Sequence, residues 1–355
     1  MIVIFGTFPP PIHGMSSINE KLYNQLIASG LEVRKINTSP VTIKRSTIAL
    51  ISRWIPLIRG WLFICRNAKK EDTLYLAPSA GWGQLYDIIT LLITKLKGIH
   101  KIFIHHHSFK YLDQVNFVNR FFFTLTKNAA THIVLCEGMA KKLQLAYPEN
   151  HTFILSNSSL LFRNIANSIS KIKKQKGEFK IGYLSNITKD KGGWTIIKLA
   201  EKIQENNIPA TVIIGGPCHD PELKNALHIA EQRRILSWRG PIYNEEKQEF
   251  LDSIDIFVFP TQYENEAEPL VVWEAIYNKI PVISYDRGCI SAQIQKAGLV
   301  IDKNDDFVSS CAQTLQSWLN EPIRYQVILR ELYSQSAKAH EDAYLQWNNF
   351  IKMLR

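Results

Sequence analysis

The stretch Tyr263-Glu-Asn-Glu-Ala-Glu-Pro-Leu-Val-Val-Trp-Glu274 decides the fold, because it joins a strand-like segment to an apolar helix. The segment before it, 256–259, is uncharged and rich in β-branched and aromatic residues, which is typical of a buried strand. A helix is predicted to follow over 270–278. A buried strand that leads directly into a helix is the repeating unit of a parallel sheet with helices on both faces.

The same alternation of strands and helices runs through the chain in two series. The first has predicted strands at 2–5, 32–36, 73–76, 101–104 and 131–135, and the second at 179–184, 210–214, 235–238, 256–259 and 281–284. Between the two series, 161–177 lacks a strong period, so we expect a linker there. The tail from about Arg330 to Arg355 is predicted to be an amphipathic helix. The sequence therefore predicts two α/β domains.

Length and composition exclude several classes of protein. The 355 residues exceed what one ordinary core supports, and a chain with 46% hydrophobic and 21% charged residues is globular in composition. No run of about 18 uncharged apolar residues occurs, so no transmembrane helix is expected. Residues 1–5 lead straight into a strand without a basic leader, so a secretory signal is not expected. The five cysteines are scattered without a C-x-x-C pair, which suits a reducing cytosol and argues against a zinc site.

Charge is spread unevenly along the chain. Residues 1–175 hold 22 lysines and arginines against 8 acids, whereas the remaining residues hold 20 against 24. The segment 41–70 carries seven of these basic residues, no acid, and both Trp54 and Trp61. This pattern favours contact with an anionic membrane surface, with a core helix that has a solvated basic face as the alternative. Nucleic acid is not expected as a partner, since no nucleic-acid motif is present.

Two carboxylates of the opening stretch are candidates for binding hydroxyl groups. Glu266 is expected in the loop after the strand and Glu274 one turn inside the helix, so both can face the carboxyl end of the sheet. A carboxylate can accept hydrogen bonds from neighbouring sugar or ribose hydroxyls, and amides of the helix that starts near Pro269-Leu270 can meet a diphosphate. An acidic loop beside a solvated helix face is the alternative.

This region carries a resemblance to a known family. It is similar to the signature of the family 4 glycosyltransferases at Pro260, Glu266, Pro269-Leu270, Glu274-Ala275 and Pro281-Val282. That family consists of retaining, nucleotide-sugar-dependent enzymes with the GT-B fold. The resemblance implies two Rossmann-like doubly wound parallel-sheet domains that face each other across a cleft, with a C-terminal helix that packs back on the N-terminal domain. It implies an acceptor-binding domain at 1–165, a donor-binding domain at 177–335 and the helix at 336–355.

The resemblance also implies roles for single residues of the second domain. Glu266 would face the donor sugar, Glu274 would hold the ribose, and the backbone near Ile242 would hold the base. Lys191, which precedes Gly192-Gly193 at a predicted helix start, can neutralise phosphate charge. The family often has an arginine where this chain has Tyr183, so half of the expected phosphate clamp is missing. Ser185 or Asn186 is the candidate replacement.

Two motifs of the first domain complete the prediction. The loop from Gly6 to Gly14 follows the first strand and lacks G-x-G-x-x-G; in the family it lies beneath the donor phosphates, and a simple tight turn is the alternative. His105-His106-His107 ends a predicted strand, and because its side chains alternate sides they cannot all bind one metal. The resemblance assigns the contact with the donor sugar to His107 first and His105 second, with core histidines as the alternative.

Together these observations predict a retaining hexosyltransferase that uses a nucleotide-diphosphate sugar, with UDP favoured, and a glycan or lipid-linked saccharide acceptor. The resemblance points to bacterial surface polysaccharide or lipopolysaccharide synthesis, with His107, Glu266 and Lys191 as catalytic residues. No metal or other cofactor is expected. A cytoplasmic location on the inner face of the membrane, through 41–70, is predicted. The alternatives are a catalytically silent GT-B scaffold that binds a nucleotide or glycan, and a basic membrane or nucleic-acid adapter.

Overall fold

The computed structural model describes residues 1–10, 14–39, 47–79, 81–161 and 178–355. These residues form two compact units, the first made of Met1–Leu160 with Asp342–Arg355 and the second of Leu161–Glu341. Each unit contains one six-stranded parallel sheet. The predicted linker lies outside the described residues from position 162 to its end.

The first unit has the strand order β2-β1-β3-β4-β5-β6. Its strands are β1 Ile2–Gly6, β2 Val33–Asn37, β3 Thr73–Leu76, β4 Lys101–His105, β5 Thr131–Val134 and β6 His151–Ile154. Its helices are α1 Gly14–Ala28, α2 Thr47–Asn67, α3 Gln84–Leu96, α4 Lys110–Asp113, α5 Phe117–Thr126 and α6 Glu137–Ala146, with 3₁₀ turns at Gly81–Gly83 and Asn157–Leu160. All residues of β1 and β3 are buried, as expected for parallel strands covered on both faces.

The second unit has the strand order β12-β11-β10-β7-β8-β9. Its strands are β7 Phe179–Leu184, β8 Ala210–Gly215, β9 Ser237–Trp238, β10 Ile256–Phe259, β11 Val282–Tyr285 and β12 Gly298–Ile301. Its helices are α7 Gly193–Glu205, α8 Pro221–Gln232, α9 Asn244–Ser253, α10 Leu270–Tyr277, α11 Ile290–Ile294 and α12 Phe307–Asn320, and α13 Pro322–Leu354 begins in this unit.

Both sheets contain a point at which the chain reverses its direction of travel across the sheet. In the second unit the chain moves from β7 to β8 and β9, and then continues on the other side of β7 with β10. The first sheet reverses in the same way between β1 and β3. Loops that leave adjacent strands at such a switch point diverge and open a crevice at the carboxyl edge of the sheet.

Helix α2 packs one face against the first sheet. Leu57 and Ile64 are buried, and a Cβ added at Gly60 would lie 2.6 Å from Ile36 Cγ2 and 2.7 Å from Phe5 Cε2. The helix therefore approaches the sheet closely enough to require glycine at this position. This buried face corresponds to the core-helix interpretation of the segment 41–70.

The end of α13 belongs to the core of the first unit. Trp347 and Phe350 are fully buried, and the Phe350 ring lies 5.8 Å from the ring of Phe103. Lys101 Nζ donates a hydrogen bond to the carbonyl of Leu354 at 3.0 Å. The prediction that a C-terminal helix packs back on the N-terminal domain is confirmed. Within the described ranges, every helix is too short or too polar to span a bilayer.

Candidate active site

The loops at the switch point of the second unit are locked together. The loop 185–192 follows β7, the loop 260–269 follows β10, and the Gln262 amide donates to the Asp190 carbonyl at 2.8 Å. Gly192 has φ 88°, and a Cβ at this position would lie 2.4 Å from the Pro260 carbonyl oxygen. Only glycine permits both this left-handed conformation and this close approach of the two loops.

Lys191 and Glu266 meet between these loops. Lys191 Nζ forms an ion pair with Glu266 Oε2, and the Thr261 hydroxyl donates to the same oxygen at 3.2 Å. The ammonium group also lies over the ring of Tyr263, 4.7 Å from its centroid. The side chains of Lys191 and Glu266 are 22% and 10% exposed. A partly desolvated cation and carboxylate therefore lie side by side, the first suited to a phosphate and the second to sugar hydroxyls.

Tyr183 supports the backbone of Lys191. Its side chain is fully buried, burial raises its pKa, and its hydroxyl donates to the Lys191 carbonyl at 3.0 Å. The Ser185 hydroxyl donates to the Asn186 carbonyl at 3.2 Å, and Asn186 is exposed. Tyr183 thus contributes a neutral group that fixes Lys191, where the family often has a second cation.

Glu274 forms a second ion pair, which the sequence analysis did not predict. Lys247 Nζ lies 2.5 Å from Glu274 Oε2, and the two side chains are 29% and 16% exposed. Lys247 belongs to α9 and Glu274 to α10, so the pair joins helices on either side of β10 in the chain. No local pattern signals it, since Lys247 lies among acids in 245–249.

The start of α10 and the loop after β9 contribute backbone groups. Pro269 precedes α10, which begins at Leu270, and no side chain caps the amides of this first turn.

Ile242 packs against β8, because a Cβ at Gly215 would lie 2.6 Å from Ile242 Cδ1. A Cβ at Gly216 would lie 1.7 Å from the Ser185 carbonyl oxygen. The segment with Ile242 and the segment with Ser185 therefore flank the same strand end.

In the first unit, the three consecutive histidines separate as their alternation predicts. The rings of His105 and His107 lie on one side, 4.1 Å apart, whereas His106 stacks on His132 at 5.1 Å. His106 also makes 2.8 Å hydrogen bonds to Tyr111 Oη and to His132 Nδ1. His106 is therefore a core residue.

Burial keeps these histidines neutral. Loss of hydration lowers the pKa of His107 to about 3 and that of His132 to about 3, and burial also lowers the pKa of His105. His105 is 1% exposed and its Nδ1 is hydrogen-bonded to Tyr75 Oη, so it lies in the core. His107 Nε2 has no hydrogen-bond partner among the described residues. His107 is therefore a neutral imidazole whose Nε2 atom is shielded from solvent.

Gly14 begins α1, and a Cβ added there would meet nothing within 4 Å. Residues 11–13 of the preceding loop lie outside the described residues. Within the part of the chain that the structure describes, no three His, Cys, Asp or Glu side chains are grouped so that they could hold a metal ion.

Residues 164–340 match the family model described as "Glycosyl transferases group 1". Residues 164–340 of the chain therefore belong to this family of glycosyltransferases, as the motifs of this region predicted. Over 161 residues it is 25% identical to TuaC of Bacillus subtilis (strain 168), which is named as a teichuronic acid biosynthesis glycosyltransferase. That match spans 45% of this chain and only 38% of TuaC.

Solved structures of other proteins resemble the whole chain. Sucrose-phosphate synthase from Thermosynechococcus elongatus is 14% identical with a TM-score of 0.73, and the match covers 99% of this chain and 98% of that one. Anabaena HepE, solved in complex with UDP and glucose, is 13% identical with a TM-score of 0.68, and the match covers 100% and 99%. At these identities the likeness establishes the fold alone. The predicted GT-B fold is confirmed.

Proposed function

We propose that this chain is a retaining glycosyltransferase that moves a hexose from a UDP-sugar to a glycan or lipid-linked saccharide during synthesis of a bacterial surface polysaccharide. Family membership supports the reaction class. The complex of HepE with UDP and glucose supports a UDP-sugar donor, and the name of TuaC supports a surface polysaccharide product.

The observation that carries this proposal is the Lys191–Glu266 pair at the switch point of the second sheet. A nucleotide sugar presents a diphosphate next to a ring of hydroxyls, so it needs a cation and a hydrogen-bond acceptor close together. Lys191 would bind the diphosphate and Glu266 the donor sugar. Glu274 would hold the ribose and Ile242 would flank the base, with Ser185, Asn186 and the amides after Pro269 as further donor contacts.

In the transfer, one bond to the anomeric carbon of the donor sugar forms and another breaks. The acceptor oxygen forms a bond to the anomeric carbon on the face that the nucleotide leaves, and the bond from that carbon to the β-phosphate oxygen breaks. The leaving phosphate takes the acceptor's proton, while Lys191 neutralises its growing negative charge. In the first unit, His107 would contact the donor sugar and the loop that ends at Gly14 would approach the phosphates.

Thermal unfolding with UDP, GDP, ADP and NAD tests donor binding. A ligand at a hundred times its Kd stabilises the folded state by about 2.7 kcal/mol. We expect UDP to raise the Tm, and Glu274→Gln to lose most of that shift. Glu264→Gln, an exposed carboxylate in the neighbouring loop, is the matched control and should keep the shift.

Incubation with a panel of UDP-sugars then separates the proposal from its rivals. Release of UDP that depends on acceptor, or slow release without one, supports the transferase. Binding of UDP without any release from the whole panel would instead support the silent scaffold, which the missing second cation at Tyr183 favours. Stabilisation by NAD alone would overturn the proposal.

We also propose that α2 contacts an anionic membrane surface. Four of its apolar side chains, Trp54, Ile55, Ile58 and Leu62, are between 42% and 53% exposed, and Arg59 and Arg66 are exposed on the same helix. Exposed apolar side chains beside cations are typical of protein surfaces that bind anionic lipid. Of the other basic residues of 41–70, Lys44 and Arg45 lie outside the described residues.

Sedimentation with vesicles tests this contact. The protein should sediment with phosphatidylglycerol vesicles and less with phosphatidylcholine vesicles, and the double variant W54S/I55S should bind more weakly. Ile229→Ser removes an equally exposed apolar residue, 46%, from α8 of the second unit and serves as the control. Equal binding by W54S/I55S and the unmodified chain would contradict the membrane role of α2.

A further inference from the structure

The ion pair between Lys247 and Glu274 has a role that neither the family match nor the motifs assign. We propose that Lys247 is a positioning residue that orients the Glu274 carboxylate for the two ribose hydroxyls and thereby sets the preference for a ribonucleotide. This inference rests on the proposed function, because it assumes that Glu274 meets a ribose.

The geometry of the pair supports this role. Lys247 Nζ lies 2.5 Å from Glu274 Oε2, so the ammonium forms an ion pair with one carboxylate oxygen. Glu274 Oε2 is shielded from solvent, so ribose hydroxyls would meet the other oxygen, Oε1, and a carboxylate oxygen can accept two hydrogen bonds. Both side chains are largely removed from water, at 29% and 16% exposure, so their attraction is screened less than that of a surface pair.

The two helices are joined by a separate contact. Gln248 Nε2 donates to Asn278 Oδ1 at 2.7 Å, and Asn278 Nδ2 donates to the Glu274 carbonyl at 2.8 Å. This contact links α9 to the end of α10 without using the carboxylate. Lys247 is therefore not the sole connection between the helices, and its contact is directed at the group that would bind the ligand.

A fixed carboxylate differs from a free one in how it binds hydroxyls. Without the ammonium, the Glu274 side chain can take several rotamers, and a hydroxyl ligand must first order one of them. With the ammonium in place, that ordering is complete before the ligand arrives. Lys247 should therefore strengthen binding of nucleotides that carry ribose hydroxyls and should not affect those that lack them.

The experiment measures the Kd of UDP and of 2′,3′-dideoxy-UDP by titration calorimetry. The unmodified chain should prefer UDP. Lys247→Met should weaken UDP binding by about tenfold, the loss expected for a charge-assisted contact, and leave the dideoxy ligand within about twofold. Lys247→Arg, which keeps a positive charge at this position, should retain most of the preference for UDP over 2′,3′-dideoxy-UDP. In a Glu274→Gln background, Lys247→Met should have no further effect on UDP.

Two controls separate positioning from general stability. Gln248→Met breaks the other contact between α9 and α10, and should lower the Tm while keeping the preference for ribose. Lys198→Met removes an exposed lysine from α7 and should change neither quantity.

The outcomes distinguish this inference from the proposed function. If the unmodified chain binds no nucleoside diphosphate, the proposed function fails and this inference fails with it. If UDP binds with a preference for ribose that Lys247→Met leaves unchanged, only the inference fails. Tighter UDP binding by Lys247→Met would also overturn it, because the ammonium would then compete with the ribose. Equal weakening of both ligands would overturn it as well.

Discussion

The two sheets share a strand count and a switch point, but the loops at the two points are held by different chemistry. At the second switch point, Lys191 and Glu266 pair as opposite charges that remain partly exposed. At the first, neutral hydrogen bonds tie the loop after β1 to α1 and to the segment after β2: Asn19 Nδ2 donates to the Thr7 carbonyl at 2.9 Å, and the Phe8 amide donates to Ser39 Oγ at 3.1 Å. Topology therefore decides where a crevice opens, and the side chains decide which ligand it suits.

The side chains that lie beside the two switch points also differ. The strand next to the first switch point is followed by His107, whose pKa burial lowers to about 3, so this edge presents a neutral ring. The carboxylate of Asp87 there accepts a hydrogen bond from the Ser79 amide at 2.7 Å. The second point therefore carries an ion pair, whereas the first carries a neutral ring and a carboxylate that accepts a hydrogen bond from a backbone amide.

The largest expected effect comes from removing the charge of Glu266. Glu266→Gln keeps the shape of the side chain but leaves the Lys191 ammonium without its anionic partner and weakens the grip on the donor sugar. We expect kcat for transfer to fall by about 100-fold, with a smaller change in the KM of the donor. The measurement is initial-rate kinetics with the UDP-sugar that the panel identifies.

Glu264→Gln is the control for that measurement, because it makes the same chemical change at an exposed position of the same loop. A Glu266→Gln variant with kcat within about twofold of the unmodified chain would contradict the role of the charged switch point.

A glycine in each unit tests how tightly the loops are held. Gly192→Ala forces a left-handed residue to carry a Cβ 2.4 Å from the Pro260 carbonyl oxygen, and should cost about 2–3 kcal/mol of stability. Gly14→Ala meets nothing within 4 Å at the start of α1, and should change stability by less than about 1 kcal/mol. Calorimetric unfolding of both variants measures the contrast. Equal Tm values would show that the second switch point is no more constrained than the first.

The buried histidines make the first unit sensitive to acid. His132 has a folded pKa of about 3, far below its ordinary value of 6.5, so the unfolded chain binds more protons between these two values. Stability is therefore complete above about pH 6.5 and falls as the pH drops, by about 1.4 kcal/mol per pH unit for each such histidine. Urea unfolding between pH 7 and pH 5 measures this slope.

His132→Leu checks the cause of that slope. The variant should have a shallower dependence on pH, by about 1.4 kcal/mol per unit, whatever its stability at pH 7. An unchanged slope would exclude His132 as a source of the acid sensitivity.

Local patterns predicted the eight central strands and two of the four edge strands, β2 and β9. The predicted strands 73–76 and 256–259 match β3 and β10, because buried parallel strands are continuous apolar runs. The edge strands β6 and β12 were not predicted, since β6 contains a histidine and a threonine and is only partly buried, and β12 opens with Gly298. Helix α13 begins at Pro322, earlier than predicted, although a proline suits the first turn of a helix.

Only those residues of the candidate site that lie in a recognisable local motif could be predicted from the sequence. Lys191 and Glu266 each stand beside a recognisable strand–loop–helix pattern, so they could be named without knowing that they pair. Lys247 could not, because its partner Glu274 lies on another helix and only the packed structure brings them together. The hydrogen bond from Tyr183 to the Lys191 backbone could not be predicted for the same reason. In the sequence a buried tyrosine resembles any other core residue, and only the structure locates its hydroxyl.

The smallest expected effect comes from removing the Tyr183 hydroxyl. Tyr183→Phe leaves the ring in place and removes the donor to the Lys191 carbonyl, which should lower stability by about 1 kcal/mol. Because Lys191 is then less firmly placed, UDP binding should also weaken by about threefold, whereas binding of uridine, which has no phosphate, should not. Titration of both ligands measures the difference.

Tyr325→Phe is the matched control for Tyr183→Phe. It removes another largely buried tyrosine hydroxyl of the second unit, which donates to the Asp255 carbonyl at 3.3 Å. It should cost similar stability and leave UDP affinity unchanged, since Asp255 precedes β10 at the amino edge of the sheet. Weaker UDP binding in both variants would show that loss of any buried hydroxyl loosens the site. Weaker binding in Tyr183→Phe alone would show that this tyrosine acts on the phosphate through Lys191, and so performs by position part of what a second cation performs by charge.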